Sequence, residues 1–205
     1  MFVTNREDMQ EELNVALRGE RDHTPEYRAP PAFSCGETIV PEMLDLNKSV
    51  NGMLKRLHPL IGENINLVWL PGAEAPMVHM DTSQIEQILS ALCVNARKAI
   101  TGVGRITIET ENVLFDKAYC AESPEYVQGE YALLAVSDDG CGMDRQTLDR
   151  ISGPFSPTRQ KDGDAGRGLA SVYDIVRQND GFITAYSAPG HGATFNIYLP
   201  RALMS

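Results

Sequence analysis

Apolar positions recur at helical spacing in four stretches of the chain, and between them polar and apolar residues alternate as in strands. In 46–61, LNKSVNGMLKRLHPLI, Val50, Met53, Leu54, Leu57 and Ile61 share one helical face. The segment 81–100, DTSQIEQILSALCVNARKAI, predicts a second helix, which Asp81 or Thr82 can cap. Its apolar stripe is Ile85, Ile88, Leu89, Leu92, Ala96 and Ala99. A third helix is expected over 168–179, after a Gly- and Asp-rich stretch at 156–168. INLVWL (65–70), GRITIETENV (104–113) and EYALLAVSD (130–138) read as strands, with 114–129 an insertion or hairpin loop. GFITAYS and GATFNIYL read as two more, joined by APGH. Near the start, Met9, Leu13, Ala16 and Leu17 fit a short helix, and Pro25, Pro30 and Pro31 mark an irregular connector after it. The order α, β, β, α, β, β, glycine loop, α, β, β predicts a two-layer α/β sandwich. Its sheet is mixed but mostly antiparallel and is packed on one face by helices.

Composition narrows the partners. The 205 residues suit one domain plus an appendage, split here into 1–40 and 41–205, and a hydrophobic content of 42% supports a real core. Acidic residues number 28 against 18 basic, a net charge of -10, which argues against nucleic acid or an anionic membrane as partner. An acidic protein that binds a polyanion must therefore supply local positive potential from helix N-termini, a metal ion or single basic groups. Cys35, Cys93, Cys120 and Cys141 form no C-x-x-C pair and predict free thiols. No segment approaches the roughly 20 apolar residues of a membrane span, and the first residues lack the apolar run of a signal peptide. A cytoplasmic location is expected.

Three stretches carry candidate chemistry. Asn95, three residues after Leu92 and four before Ala99, lies on the apolar stripe of its helix. A buried amide costs about 1–3 kcal/mol unless its hydrogen bonds are made, so it is either tied to backbone or holds a ligand such as Mg²⁺. Lys98 follows one turn on, placed to meet phosphate. In SDDGCGMD (137–144), directly after a strand, Asp138 can accept from an exocyclic amine, while Gly140 and Gly142 admit a flat ring. Taken alone, this motif is equally a D-G turn. In DGDAGRGLASVYDIVRQNDG (162–181), glycines before a helix offer backbone N–H groups to an anion, or simply make a loose loop. It is neither the P-loop nor the dinucleotide fingerprint.

The order of these motifs is more specific than any one of them. An Asn-bearing helix, D-x-G-x-G after a strand, Pro154–Phe155, then G-x-G-L opening a helix resembles the Bergerat-fold ATPases. LDLN (44–47), SQIEQILSALCVNARKAI (83–100), VSDDGCGMD, PFSPTR (154–159) and GRGLASVYDIVRQNDGFITAYSAPGHGATFNIYLP (166–200) resemble hybrid sensor histidine kinases in particular. The likeness covers about residues 32–201. It implies an ATP-binding catalytic domain in which Asn95 holds Mg²⁺ between the phosphates. Asp138 would read the adenine amine, with Gly140 and Gly142 lining the base and Thr194 in support. Phe155 would anchor the lid over ATP. Gly166, Gly168 and the amide of Leu169 would wrap the phosphates. The expected partners are ATP or ADP, and a response regulator or a histidine-bearing dimerisation domain; a homodimer is left open.

The chain departs from that family at identifiable places. No histidine among His23, His58, His79 and His191 is followed by an acidic residue and, five positions on, a proline, as the family's phosphoacceptor is. AFSCG (32–36) resembles the tail of the second dimerisation helix, so residues 1–40 read as a shortened remnant of that hairpin. A polar residue usual four positions before the Mg²⁺-binding Asn is replaced by Ala91, and Asp162 and Asp164 stand where the lid usually has glycine. These changes bear on phosphoryl transfer more than on adenine recognition. The leading expectation is a domain that donates the ATP γ-phosphate to a histidine on another segment or chain. The alternative is a kinase-inactive relative acting as a nucleotide-binding or protein-interaction regulator in a phosphorelay. A clamp like the mismatch-repair ATPases needs a carboxylate one turn before Asn95, and Ala91 excludes it.

Overall fold

The computed structural model describes residues 40–72, 74, 76–122, 126–152 and 163–202, giving backbone alone for 119, 122, 149–152 and 163–167. The helix and connector expected over the first 39 residues, Phe155 and Asp162 lie outside this set. Helix α1, Leu46–Ile61, begins where the Asp45 side chain accepts the Lys48 N–H at 3.1 Å. Its buried face, Leu46, Val50, Met53, Leu57 and Ile61, keeps four of the five predicted positions and adds Leu46, while Leu54 is only partly buried at the edge of the core. The chain leaves it at Gly62, whose φ of 83° suits glycine, and Arg97 Nε donates to the Ile61 carbonyl at 3.1 Å. Helix α2, Thr82–Ala99, is capped by Asp81 and buries Ile85, Ile88, Leu89, Leu92, Cys93 and Ala96.

The strands are β1 (Glu42–Asp45), β2 (Ile65–Leu70), β3 (Met77–Met80), β4 (Gly104–Phe115), β5 (Gly129–Asp138), β6 (Phe182–Ser187) and β7 (Ala193–Pro200). Five of them form one sheet in the order β2-β4-β5-β7-β6. The β2–β4 pair is parallel and the other three are antiparallel. β1 and β3, to which the sequence pattern assigned no range, pair with each other as a separate two-stranded ribbon. The 114–129 segment contains more structure than a loop. β4 continues to Phe115, a short helix α3 occupies Lys117–Glu122, and β5 starts at Gly129. A further short helix, α4 (Arg145–Ser152), was not anticipated. The last helix, α5, runs Gly163–Gln178, so it begins five residues before the expected start at 168.

One core joins α1, α2 and α5 to one face of the sheet: Ile88, Leu92, Val172 and Val176 meet Ile106, Ile108, Leu134, Val136 and Ile197. Side chains alternate between the faces of a strand. Tyr131, between the helix-side positions of β5, therefore faces away from the helices. There it forms a second cluster with Phe115, Tyr126 and Tyr198, and the Phe182 ring stacks on Tyr198 with centroids 4.7 Å apart. The result is the helix-on-sheet architecture expected from the element order, with an aromatic patch on the outer face.

Candidate functional site

Ala91, Asn95 and Ala99 lie four residues apart on α2 and so share one face of it. One of them, Ala99, meets another element at backbone distance, and Ala91 faces a second. A Cβ built on Gly140 would come within 2.8 Å of the Ala99 backbone, so this approach exists because residue 140 has no side chain. A Cβ on Gly168 of α5 would come within 3.7 Å of the Ala91 Cβ, an ordinary contact. Asn95, half-buried, therefore sits one turn from the D-x-G-x-G loop on one side and one turn from α5 on the other. Lys98 is exposed, just before the end of the helix. Among the predicted residues, Asn95, Gly140 and Gly168 are thus brought to one face of α2.

The loop after β5 is stitched down on three sides. The Cys141 N–H donates to Ala99 O at 2.9 Å, and the Gly190 N–H donates to Cys141 O at 2.7 Å. Asp139 is paired through backbone and side chain with Arg105, accepting the Arg105 N–H at 2.7 Å. Gly142 has φ 65°, and a side chain there would overlap the Ala188 carbonyl oxygen. At Gly192, with φ 70°, a side chain would overlap the carbonyl oxygen of Asp138. The glycines of both motifs are needed because three backbones converge at the end of the sheet.

Asp138 is half-buried at the last position of β5, and its Oδ1 accepts the Gly140 N–H at 2.9 Å. Burial pushes its carboxyl above the usual Asp range, opposed by N–H groups of Gly140 and Ala193 and aided by the neighbouring Asp139 charge. A carboxylate offers about four lone-pair positions, so two backbone donors leave capacity for an amine. The residue opposite Asp138 on β7 is Ala193. Thr194 is opposite Ser137, and their hydroxyls lie 3.0 Å apart, so Thr194 is not brought to the Asp138 carboxylate. Strand alternation turns this hydroxyl pair to the other face.

Gly166, Gly168 and Leu169 lie within α5, the last with its side chain buried. Gly168 and Leu169 fall beyond the first four residues of the helix, whose N–H groups are the ones left free by the helical ladder. Their amides are therefore spent inside the helix, unlike the open glycine loop expected from the sequence. Asp164 is helical in its backbone, and its side chain, like Phe155 and Asp162, is outside the described residues. Ser187 escaped the sequence reading altogether: it accepts the Met143 N–H at 2.8 Å and donates to Gly192 O at 2.7 Å. A serine before a Pro-Gly turn carries no signal of that role on its own.

Among the described residues, no three His, Cys, Asp or Glu side chains gather as a metal site. A Mg²⁺ that kept waters and substrate phosphates as ligands would need few protein donors, and the half-buried Asn95 amide oxygen is a hard donor of the kind it takes.

The family model described as Histidine kinase-, DNA gyrase B-, and HSP90-like ATPase matches residues 80–203. The chain belongs to this ATPase family. It is 36% identical over 172 residues to the sensor kinase CckA of Brucella abortus (strain 2308), covering 84% of this chain and 18% of CckA. It is 27% identical to the signal transduction histidine-protein kinase AtoS of Escherichia coli (strain K12), over 79% of this chain and 26% of AtoS. The chain thus spans roughly a fifth to a quarter of these relatives. Among solved structures, the full-length kinase ShkA in complex with AMPPNP superposes with a TM-score of 0.62 at 21% identity, covering 84% of this chain and 33% of ShkA. The mycobacterial sensor histidine kinase MprB gives a TM-score of 0.59 at 21% identity, over 80% of this chain and all of that one. The histidine kinase-like ATPase is accordingly an α/β domain of the kind that carries catalysis in sensor kinases, and none of its described helices is long and apolar enough to cross a membrane.

Proposed function

We propose that residues 41–205 bind ATP with Mg²⁺ and present the γ-phosphate to a histidine on another segment or chain, and that residues 1–40 are a shortened remnant of the dimerisation hairpin. The observation that carries this reading is the half-buried Asp138, with spare acceptor capacity, set beside a glycine loop that packs on the same α2 face as Asn95. In this reading Asp138 accepts from the adenine amine and Gly140 and Gly142 line the base. Asn95 would hold Mg²⁺, which would supply positive charge to neutralise the phosphates, and Lys98 adds local positive charge. Phe155 anchors the lid. Gly166, Gly168 and the Leu169 amide reach the phosphates only if the first turns of α5 open. Phosphoryl transfer is mostly positioning and charge neutralisation, so this set is sufficient in kind. A cytoplasmic location and a response regulator as the downstream partner follow from the same reading.

A second reading rests on Ala91. The face of α2 one turn before Asn95 carries the Ala91 methyl group, turned toward Gly168, and no polar side-chain atom, which favours a nucleotide-binding regulator without phosphotransfer. Calorimetry with ATP, ADP and adenosine, with and without Mg²⁺, tests the nucleotide site that both readings share, and phosphate labelling of an added histidine acceptor separates them. The kinase reading expects all three to bind and Mg²⁺ to tighten ATP most. Asp138→Asn should abolish binding, because an amide can turn its NH₂ toward the adenine amine. Equal affinity in wild type and variant would remove the adenine-pocket assignment.

A further inference from the structure

We infer that Ser187 is a positioning residue of the base pocket, its hydroxyl fixing where the 139–143 loop stands relative to the Asp138 carboxylate; this rests on the ATP reading above. A serine hydroxyl has one proton and two lone pairs. Here the proton is given to Gly192 O at 2.7 Å and a lone pair receives the Met143 N–H at 2.8 Å, so its rotation is fixed from both sides. The two partners belong to different elements. Met143 ends the glycine loop and packs on the core, whereas Gly192 lies in the β6–β7 turn directly over the Asp138 carbonyl.

The surrounding contacts make this hydroxyl the side-chain link between those segments. Gly142 is wedged against Ala188 O and Gly192 O with no room for a Cβ, and the remaining tie, Gly190 N–H to Cys141 O, is backbone to backbone. Ser187 ends β6 opposite Ala193, and Ala193 is the residue opposite Asp138. The serine is thus separated from the carboxylate by one strand, too remote to touch the base yet in register with the group that reads it. Removing the hydroxyl leaves the N–H of half-buried Met143 and the carbonyl of buried Gly192 without this partner, and the loop must shift to satisfy them. A shift there moves Gly140 and Gly142 away from the plane that the Asp138 carboxylate addresses.

The test is equilibrium binding of adenosine, ADP and ATP to wild type, Ser187→Ala, Ser187→Thr and Ser187→Cys, with inosine as the purine that lacks the 6-amino group. Ser187→Ala is expected to weaken all three adenine ligands by the same factor, on the order of tenfold, the loss typical of one broken hydrogen-bonded pair. Its preference for adenosine over inosine should fall, whereas Ser187→Thr, which keeps the hydroxyl, restores both. Ser187→Cys conserves the size with a weak donor and should resemble alanine, which keeps the test valid if the alanine variant folds poorly. A lower melting temperature with unchanged adenosine affinity at full stoichiometry, in the alanine or the cysteine variant, would overturn the inference and leave Ser187 a structural brace. Wild type that binds adenosine and inosine equally, or Asp138→Asn that binds as wild type, would instead remove the ATP reading and this inference with it.

Discussion

Asp138 combines the features of a recognition group with a measurable cost to the fold. Its carboxyl is raised above the usual Asp range by burial, so the ionised form is disfavoured in the folded chain. The sign follows from linkage: stability from this group is present below the unfolded-state value of about 3.9 and is lost as pH rises through the raised folded value. Asp138→Asn should therefore raise the melting temperature of the ligand-free chain at pH 7 while losing adenosine, a pairing that thermal scans and calorimetry check together. Binding runs the other way, since the acceptor is needed ionised. Wild-type adenosine affinity should fall on acidification, starting above the ordinary Asp range, as calorimetry across that pH window would read. Gly142→Ala is expected to fail for a different reason. The residue has φ 65° and abuts the Ala188 carbonyl, and a left-handed non-glycine conformation alone costs roughly 1–3 kcal/mol. A lowered urea midpoint together with lost adenosine binding is the expected result; an unchanged midpoint would show that the loop can move aside. At this scale the sequence was informative where chemistry is local. Asp138, Gly140 and Gly142 were legible from their spacing after a strand. Ser187, and the pairing of Thr194 with Ser137, depend on which strands are neighbours, and no single segment records that.

Elements with long amphipathic periods were read closely, and short or glycine-rich ones were not. The stripe of α1 was anticipated at Val50, Met53, Leu57 and Ile61 because 16 residues give several turns of evidence. β1 and β3 have four residues each and exist by pairing with one another, a long-range fact. The early start of α5 has a packing origin. Gly166 and Gly168 each weaken a helix by roughly 1 kcal/mol relative to Ala, which is why a loop was expected. Buried Leu169, Val172, Ile175 and Val176 compensate by holding α5 against the core that it shares with α2. The far end of that helix pair is fastened by side chains. Asn179 Nδ2 donates to Gln84 Oε1 at 3.2 Å and to Ile175 O at 2.8 Å, and Gln84 is 6% exposed. Asn179→Ala leaves a buried amide oxygen unpaired and should destabilise by about 1–3 kcal/mol. Urea denaturation reads that loss, and a change below about 0.5 kcal/mol would mean the α2–α5 contact is apolar in its energetics. The LDLN motif has a similar explanation: Asp45 caps α1, and Asn47 joins Thr110 of β4 to the carbonyl of Gly72.

Over the whole molecule, the net charge of -10 and the distribution of histidines set what this chain can do with a triphosphate. At physiological ionic strength charges are screened over about 8 Å, so the overall acidity slows approach more than it weakens a seated ligand. Local groups decide the outcome, and in the proposed site these are Asn95 and Lys98 on α2. Transfer then needs an acceptor. His58 and His79 are exposed on α1 and β3, and His191 is exposed in the turn between β6 and β7. His58 is followed at once by Pro59, and none of the three has an acidic residue after it to draw the imidazole proton. His23, outside the described residues, is followed two positions later by Pro25. The chain incubated alone with γ-labelled Mg-ATP is therefore expected to bind nucleotide and to retain no acid-labile, base-stable phosphate. A separate helical hairpin carrying a histidine followed by an acidic residue should become labelled when added, and Asp138→Asn should prevent it. Labelling of the hairpin would place this chain with active kinases despite Ala91. Binding without any labelling, across hairpins of several sequences, would favour the regulatory reading. Phosphate on this chain mapped to His23 would overturn the expectation and make the segment 1–40 a working acceptor.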